Sequence, residues 1–278
     1  MRPDVRSIFL SDLHLGLTGC RADLALGFLR ATSSERLYLV GDILDLWILR
    51  RRVRWDPAYN RLVRHVLKRA QRGEMVVYVP GNHDADLASL AGVGLVNIQV
   101  ASQVVYDALD GRRLLITHGD EADAIVKAHP LLARLGAHAY DWLIWLNHLN
   151  NRARALAGAE PWSFSRAVKA SVKRATAYIS NFEQVLADRA RALGAQGVIC
   201  GHIHQPVIKS RDGVDYINCG DWIEHCTAVV EQWSGRFELI SWTGEPPIES
   251  EDDEPGDTGQ PAPGVRSTLR ERPIAVRY

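Results

Sequence analysis

The sequence predicts an α/β fold, and three observations carry the prediction. Short apolar runs without polar alternation recur along the chain, as strands buried on both faces require. Helical stretches with one apolar face separate them. Clusters of Asp and His follow the runs at their carboxyl ends, where open α/β sheets collect ligands. The 278 residues are 46% hydrophobic and 24% charged, a balance that supplies a large core and excludes disorder as the global state.

Taken in order, Ser7–Leu10 reads as the first strand and Asp23–Arg30 as the first helix. Leu37–Val40 is the next strand. Ala58–Gln71 follows as a helix, with Leu62, Val66 and Ala70 on one face and Arg64, Lys68 and Arg72 elsewhere. Met75–Val79 and Arg113–Thr117 are further strands. From Glu121 to about Gly194 the pattern turns helical and aromatic, with Trp142, Trp145, Trp162 and Phe164, and Gly158–Pro161 interrupts it. Strands return at Val198–Cys200, Val207–Lys209, Val214–Asn218, Thr227–Glu231 and Phe237–Trp242, with hairpin turns at Asp212-Gly213 and Ser234-Gly235. Residues 1–120 and 195–243 are therefore expected to be two halves of one sheet system. Residues 121–194 form a helical insertion or cap, and 244–278, rich in Pro, Gly, Glu and Asp, a disordered tail.

The 33 Lys and Arg balance 33 Asp and Glu, which argues against a nucleic-acid wrapper. That zero is a sum over unlike regions. Basic residues gather at Arg50–Arg54 and Arg166–Arg174, and acidic ones at Glu249–Glu254. Met1–Asp12 lacks the apolar core of a secretory signal, and no window reaches the ~18–20 apolar residues of a membrane span. Cys20, Cys200, Cys219 and Cys226 lack metal-site spacing and are too sparse for a disulfide scaffold, so reduced thiols and a cytoplasmic location are expected.

The chemistry lies in five clusters: Asp12-Leu13-His14, Gly41-Asp42, Gly81-Asn82-His83-Asp84, Thr117-His118-Gly119-Asp120 and Gly201-His202-Ile203-His204. Each alone is a weak signal: an Asp-x-His triplet also suits a surface turn, and His-x-His is as often structural as not. Together they deliver two Asp, one Asn and four His to one sheet edge. Carboxylate, imidazole and amide donors without thiolate suit Mn²⁺, Fe or Zn²⁺ rather than a structural zinc site. Seven donors exceed one ion and fit two ions sharing a carboxylate. Such a pair, ~3.5–4 Å apart, clamps both oxygens of a phosphoryl displacement.

This ordered set resembles the calcineurin-like metallophosphoesterase superfamily over nearly all of residues 7–242. The resemblance implies a four-layer αββα sandwich carrying the helical cap. It assigns Asp12, His14, Asp42 and His204 to one metal, with Asp42 bridging, and Asn82, His118 and His202 to the second. His83 is implied as the general acid that protonates the leaving oxygen, with Asp84 orienting it. The plainer readings are a hydrogen-bond donor to phosphate for His83 and a helix N-cap for Asp84. Asn82, His83 and His202 would also touch substrate.

A narrower likeness joins Gly41-Asp42-Ile43-Leu44-Asp45-Leu46-Trp47, the insertion, and Cys219-Gly220-Asp221-Trp222-Ile223-Glu224 to the UDP-2,3-diacylglucosamine pyrophosphatase family of lipid A synthesis. That likeness implies cleavage of a lipid-linked UDP-sugar to UMP and 2,3-diacylglucosamine 1-phosphate. Two Mn²⁺ ions would serve as cofactors, beside an anionic inner membrane surface. The chain departs from the pattern at His83, where the family carries Arg, and at Glu121-Ala122-Asp123. A soluble nucleotide or phosphodiester therefore stays open as substrate. A metal-free scaffold of the same fold is a third reading, opposed by the full donor set.

Leu131, Leu135, Trp142, Trp145 and Leu149 read either as helix packing or as an acyl groove, where each buried CH₂ contributes ~0.8 kcal/mol. Arg166, Lys169, Lys173 and Arg174 form a basic helix face, either merely solvated or a cationic wall. On the resemblance, Lys169 and Lys173 are its substrate contacts. Asp45, one turn beyond Asp42, orients a ligand or serves as a first-turn helix carboxylate. His65 is expected exposed, His129, His138 and His148 in packing or polar-edge roles, and His225 in a turn.

Overall fold

The computed structural model describes residues 3–51, 55–92, 94–95, 97–127 and 164–244. The strands form two sheets, as the αββα sandwich implied by the resemblance requires. The first has seven strands in the order β12-β11-β1-β2-β3-β5-β4, and the second has five in the order β6-β7-β8-β10-β9. In the first, β1 (Val5–Leu10), β2 (Ser34–Val40) and β3 (Met75–Val79) run parallel, extended by β5 (Ile98–Val100) and the short β4 (Gly94–Leu95). β11 (Thr227–Glu231) and β12 (Phe237–Ser241) add antiparallel at the other edge. In the second sheet β7 (Arg113–Ile116), β8 (Gly197–Cys200) and β10 (Val214–Asn218) are parallel, between antiparallel edges β6 (Val104–Asp107) and β9 (Val207–Arg211).

The second sheet starts with β6, a four-residue strand that sequence patterning passes over. Its residues alternate between buried and more open, Val104 and Tyr106 facing in, yet the run is too short to stand out. Between the sheets, Phe9 stacks on Tyr38 at 5.0 Å, and Tyr106 meets Phe9 edge-on at 5.3 Å. Val40, Val77 and Val79 of the first sheet share that layer with Ile116, Ile199 and Ile217 of the second.

Helices cover both outer faces. α1 (Ala22–Ala31) and α3 (Pro57–Gln71) bury Leu26, Phe28 and Leu62 against Ile8, Leu10, Leu37 and Val76. α3 starts at Pro57 because proline suits the first helical position and the Asp56 carboxylate accepts from Ala58 N. The short α2 (Leu46–Arg51) lies before it and buries no residue. On the far side, α4 (Asp120–Lys127) and α5 (Phe164–Ala192) cover the second sheet. Ala122, Phe182, Leu186, Ala187 and Ala190 pack on Leu115, Val198 and Tyr216. The layers are thus helix, sheet, sheet, helix, as the fold class predicts. Residues 182–190 serve this packing whatever 128–163 does.

The acyl-groove reading of Leu131, Leu135, Trp142, Trp145 and Leu149 falls outside the described residues, as does the tail beyond Gly244. Among the described residues no helix is long and apolar enough to cross a membrane. All four cysteines are free thiols.

Candidate metal centre

Five clusters meet where strands β1, β2, β3, β7 and β8 end. Backbone bonds join these ends: Asp12 N donates to Gly41 O, Gly201 N to His118 O, and Thr117 N to Ile199 O. Asp12, His14, Asp42, His202 and His204 adopt left-handed backbone, with φ of 52°, 50°, 52°, 69° and 52°. Only Asp212 and Cys226 share that conformation among the described non-glycine residues. It costs ~1–2 kcal/mol per residue and turns the chain sharply at each strand end, the kind of local strain that concentrates at functional sites. Two glycines permit the close approach. A Cβ on Gly41, at φ +79°, would overlap the imidazole of His118. One on Gly81 would overlap the Asp42 carboxylate and stand 2.6 Å from His118 Cδ2.

Among the described residues three groups have metal-ligand spacing: Asp12 with His14 and His204, Asp42 with His118 and His202, and His14 with Asp45 and His83. The first two hold the Asp and His donors expected from sequence. Within each, one donor atom per residue lies within 4.8 Å of the others. His204 Nε2 is 3.0 Å from Asp12 Oδ1, and His14 Nε2 is 3.7 Å from the same oxygen. Asp42 Oδ2 lies between the groups, 3.8 Å from His14 Nε2 and 3.3 Å from His118 Nε2. Both carboxylates are also pinned from behind. Asp12 Oδ2 accepts from Ser11 Oγ and from His202 N at 3.0 Å, and Asp42 Oδ1 from His83 N at 2.8 Å.

The outer hydrogen bonds fix which nitrogen faces inward. His118 Nδ1 donates to the Val40 carbonyl at 3.2 Å, so in the neutral ring its Nε2 keeps the lone pair. His14 Nδ1 sits 3.3 Å from Asp45 Oδ2, which leaves its Nε2 in the same role. His202 turns the other way, with Nε2 3.3 Å from Asp123 Oδ2 and the ring stacked on Phe182. His14 Nε2, His118 Nε2, His202 Nδ1 and Asn82 Oδ1 are buried without a hydrogen-bond partner. Orphaned polar atoms are costly, and four converging lone pairs beside two carboxylates fit divalent cations.

The charges agree with that fit. Burial works to raise the Asp12 pKa, yet His14 and His204 hold its carboxyl well below the ordinary range. Asp42 is likewise lowered, burial being outweighed by His118. Burial opposes a charged His118, but the Asp42 and Asp12 carboxylates push its pKa up to about 10. A pocket that draws protons onto its imidazoles this strongly draws cations by the same field.

His83 stands at the mouth, partly exposed, its ring stacked on Trp47 at 4.1 Å and edge-on to His14 at 4.7 Å. Its Nδ1 is 3.1 Å from Asp45 Oδ2, and its Nε2 is 4.0 Å from Asp42 Oδ2. This corrects the expectation for Asp84. Its carboxylate accepts from Ile43 N at 2.8 Å, Leu44 N at 3.2 Å, Gly81 N at 2.6 Å and the Tyr78 hydroxyl. It makes no side-chain cap on the turn at Ala85–Leu90 either. Asp84 ties the β2 and β3 loops together, while Asp45 faces His83. Asp45 lies just ahead of α2 rather than in its first turn: Oδ1 accepts from Ile48 N at 2.9 Å while Oδ2 faces His14 and His83.

Lys169 and Lys173 lie on α5, and their side chains fall outside the described residues, as do those of Arg166 and Arg174. His225 takes the expected turn role, its Nδ1 against Asp221 Oδ2. His65 is half-buried rather than exposed, with Nε2 3.3 Å from Leu29 O. His129, His138 and His148 lie outside the described residues. Sequence reading passes over Asp123 and Trp47 as site residues. Asp123 stands five residues past His118 in a segment that departs from the resembled pattern, and Trp47 follows Asp45 by two.

Comparison with known proteins gives the same direction. The calcineurin-like phosphoesterase family profile matches residues 5–206. UDP-2,3-diacylglucosamine hydrolase of Neisseria gonorrhoeae (strain ATCC 700825 / FA 1090) is 29% identical over 234 residues, 80% of this chain and 90% of that one. The protein of that name from Aeromonas salmonicida (strain A449) is 27% identical over 81% of this chain and 89% of its own. That of Bordetella pertussis (strain Tohama I / ATCC BAA-589 / NCTC 13251) is 39% identical over 119 residues, 40% of this chain and 44% of its own.

Proposed function

The chain belongs to the calcineurin-like phosphoesterase family, and on that premise we propose that it hydrolyses UDP-2,3-diacylglucosamine to UMP and 2,3-diacylglucosamine 1-phosphate. The observation that carries the chemistry is the position of Asp42 Oδ2, one carboxylate oxygen within 4 Å of donors from both groups. The substrate rests on likeness to proteins named for that hydrolysis, extending over 90% of one of them.

Asp12, His14, Asp42 and His204 would hold one cation, and Asp42, Asn82, His118 and His202 the other. Such a pair, when bound, supplies Lewis acidity toward phosphoryl oxygens and acidifies water held there. Mn²⁺ is the proposed metal, since these N and O donors suit it and no thiolate takes part. The chain's own residues do the rest. His83 Nε2, on the open side of the ring, holds the proton for the leaving oxygen. Asp45 at Nδ1 and Trp47 on one face keep that ring in place. The Asn82 amide and the His202 ring border the same space and would contact the phosphate. Lys169 and Lys173, four residues apart on α5, are the proposed contacts for the rest of the charged group. A diacylated substrate would bring the enzyme to the cytoplasmic face of an anionic membrane as a peripheral protein.

A substrate panel tests this reading. With Mn²⁺ present, UDP-2,3-diacylglucosamine should release UMP far faster than a UDP-sugar without acyl chains or a generic phosphodiester. Equal rates on all three would move the assignment to a soluble nucleotide or phosphodiester. No turnover of any phosphoester, with no bound metal, would return the chain to the scaffold reading.

A further inference from the structure

The two helices that lead into and out of residues 128–163 meet at one carboxylate. Asp123 is on α4, which ends at Lys127, and Tyr178 is on α5, which begins at Phe164. The Tyr178 hydroxyl donates to Asp123 Oδ1. The other oxygen, Oδ2, lies 3.3 Å from His202 Nε2. Both ends of this contact are buried or nearly so, Asp123 at 9% exposure.

One helical turn past Tyr178, Phe182 is fully buried and stacks on the His202 ring at 5.8 Å with 26° between planes. His118 meets that ring edge-on, at 5.1 Å and 77°. His202 is therefore held at Nε2 by α4 and on its face by α5, while its Nδ1 is buried without a hydrogen-bond partner and the residue groups with Asp42 and His118. The ring is oriented by residues of α4 and α5 rather than by strand β8, which ends two residues before His202.

We propose that Asp123, braced by Tyr178, is a positioning residue for the cation held by Asp42, Asn82, His118 and His202, so that occupancy of this locus depends on docking of α4 to α5. The proposal rests on the metal-ligand reading of His202. A carboxylate on the outer nitrogen of a ligating histidine fixes its orientation and raises its basicity, and losing such a partner costs about 10–100-fold in metal affinity. Asn in place of Asp123 keeps the shape and removes the charge. Phe in place of Tyr178 leaves the carboxylate but removes its brace. The Asp12, His14 and His204 locus touches neither residue, so its cation should be unaffected.

The test is Mn²⁺ binding to the full chain, read by calorimetry for affinity and by electron paramagnetic resonance for coupling between ions. Wild type should bind two coupled ions. D123N should bind the first normally and the second about 10–100-fold more weakly, giving an uncoupled signal at low Mn²⁺. Y178F should show a smaller weakening of the second ion alone, and it serves if D123N fails to fold. His202→Ala should lose the second ion outright. Loss of one ion in H202A with unchanged binding in D123N and Y178F overturns the positioning role alone. Two coupled ions in H202A overturn the ligand reading and this proposal with it.

Discussion

The two donor groups are built differently. The Asp12, His14 and His204 side rests on the sandwich itself. Its residues end or follow core strands, the Ser11 hydroxyl and the His202 amide pin Asp12, and Asp84 fastens the adjoining loops through three backbone amides. The His118 and His202 side leans outward. His118 is fixed to the Val40 carbonyl, but His202 takes its orientation from Asp123 and Phe182 on helices flanking the insertion. On the proposed ligand reading, the difference teaches that one locus is set by the fold and the other by the helices flanking residues 128–163. Asp42 joins them.

The largest effect should follow from removing that joint. Asp42→Ala should lower hydrolysis by on the order of 10³-fold or more and reduce bound metal at both loci, measured by turnover and elemental analysis. Loss confined to one locus would break the comparison at its centre. Asp45→Asn sharpens it from the core side. It disturbs His14 and His83 together, so a fall of about 10–100-fold in affinity for the first ion should accompany slower turnover of poor leaving groups. If the second ion weakens instead, the division of donors is drawn wrongly.

The smallest effect is in stability of the metal-free chain. His118 is raised in the fold to about 10 from an ordinary 6.5. Its protonation therefore stabilises the metal-free fold fully below about pH 6.5, and this contribution is lost as pH rises through about 10. Urea unfolding of chelated protein should show stability falling across that window, less so in His118→Gln. With metal bound the proton is displaced and the dependence should flatten.

The parallel strands and their terminal clusters were legible because apolar runs and Asp-His groups are local signals. Met75–Val79, Val214–Asn218 and Thr227–Glu231 fall as the pattern predicts. The division into two sheets came from the resemblance rather than from strand patterning, which passes over β6, a four-residue edge strand whose role is defined by what it pairs with. At the site, sequence reading named Asp45 as an outer partner, which lies 3.3 Å from His14, but it paired His83 with Asp84 and passed over Asp123. Asp84 is next to His83 in the chain and Asp45 is not, yet the left-handed turns at the strand ends bring Asp45 to His83 and send Asp84 into backbone amides. Asp123 was not singled out as a site residue, because its partner His202 lies 79 positions further along the chain, beyond the end of the neighbouring strand β8.

The most direct test of the account is a count of Mn²⁺ per chain with the coupling between ions, in wild type and in D42A. Two exchange-coupled ions per chain in wild type, and loss of the coupled pair in D42A, are the predicted result. A single ion in wild type, or an intact coupled pair in D42A, would contradict it.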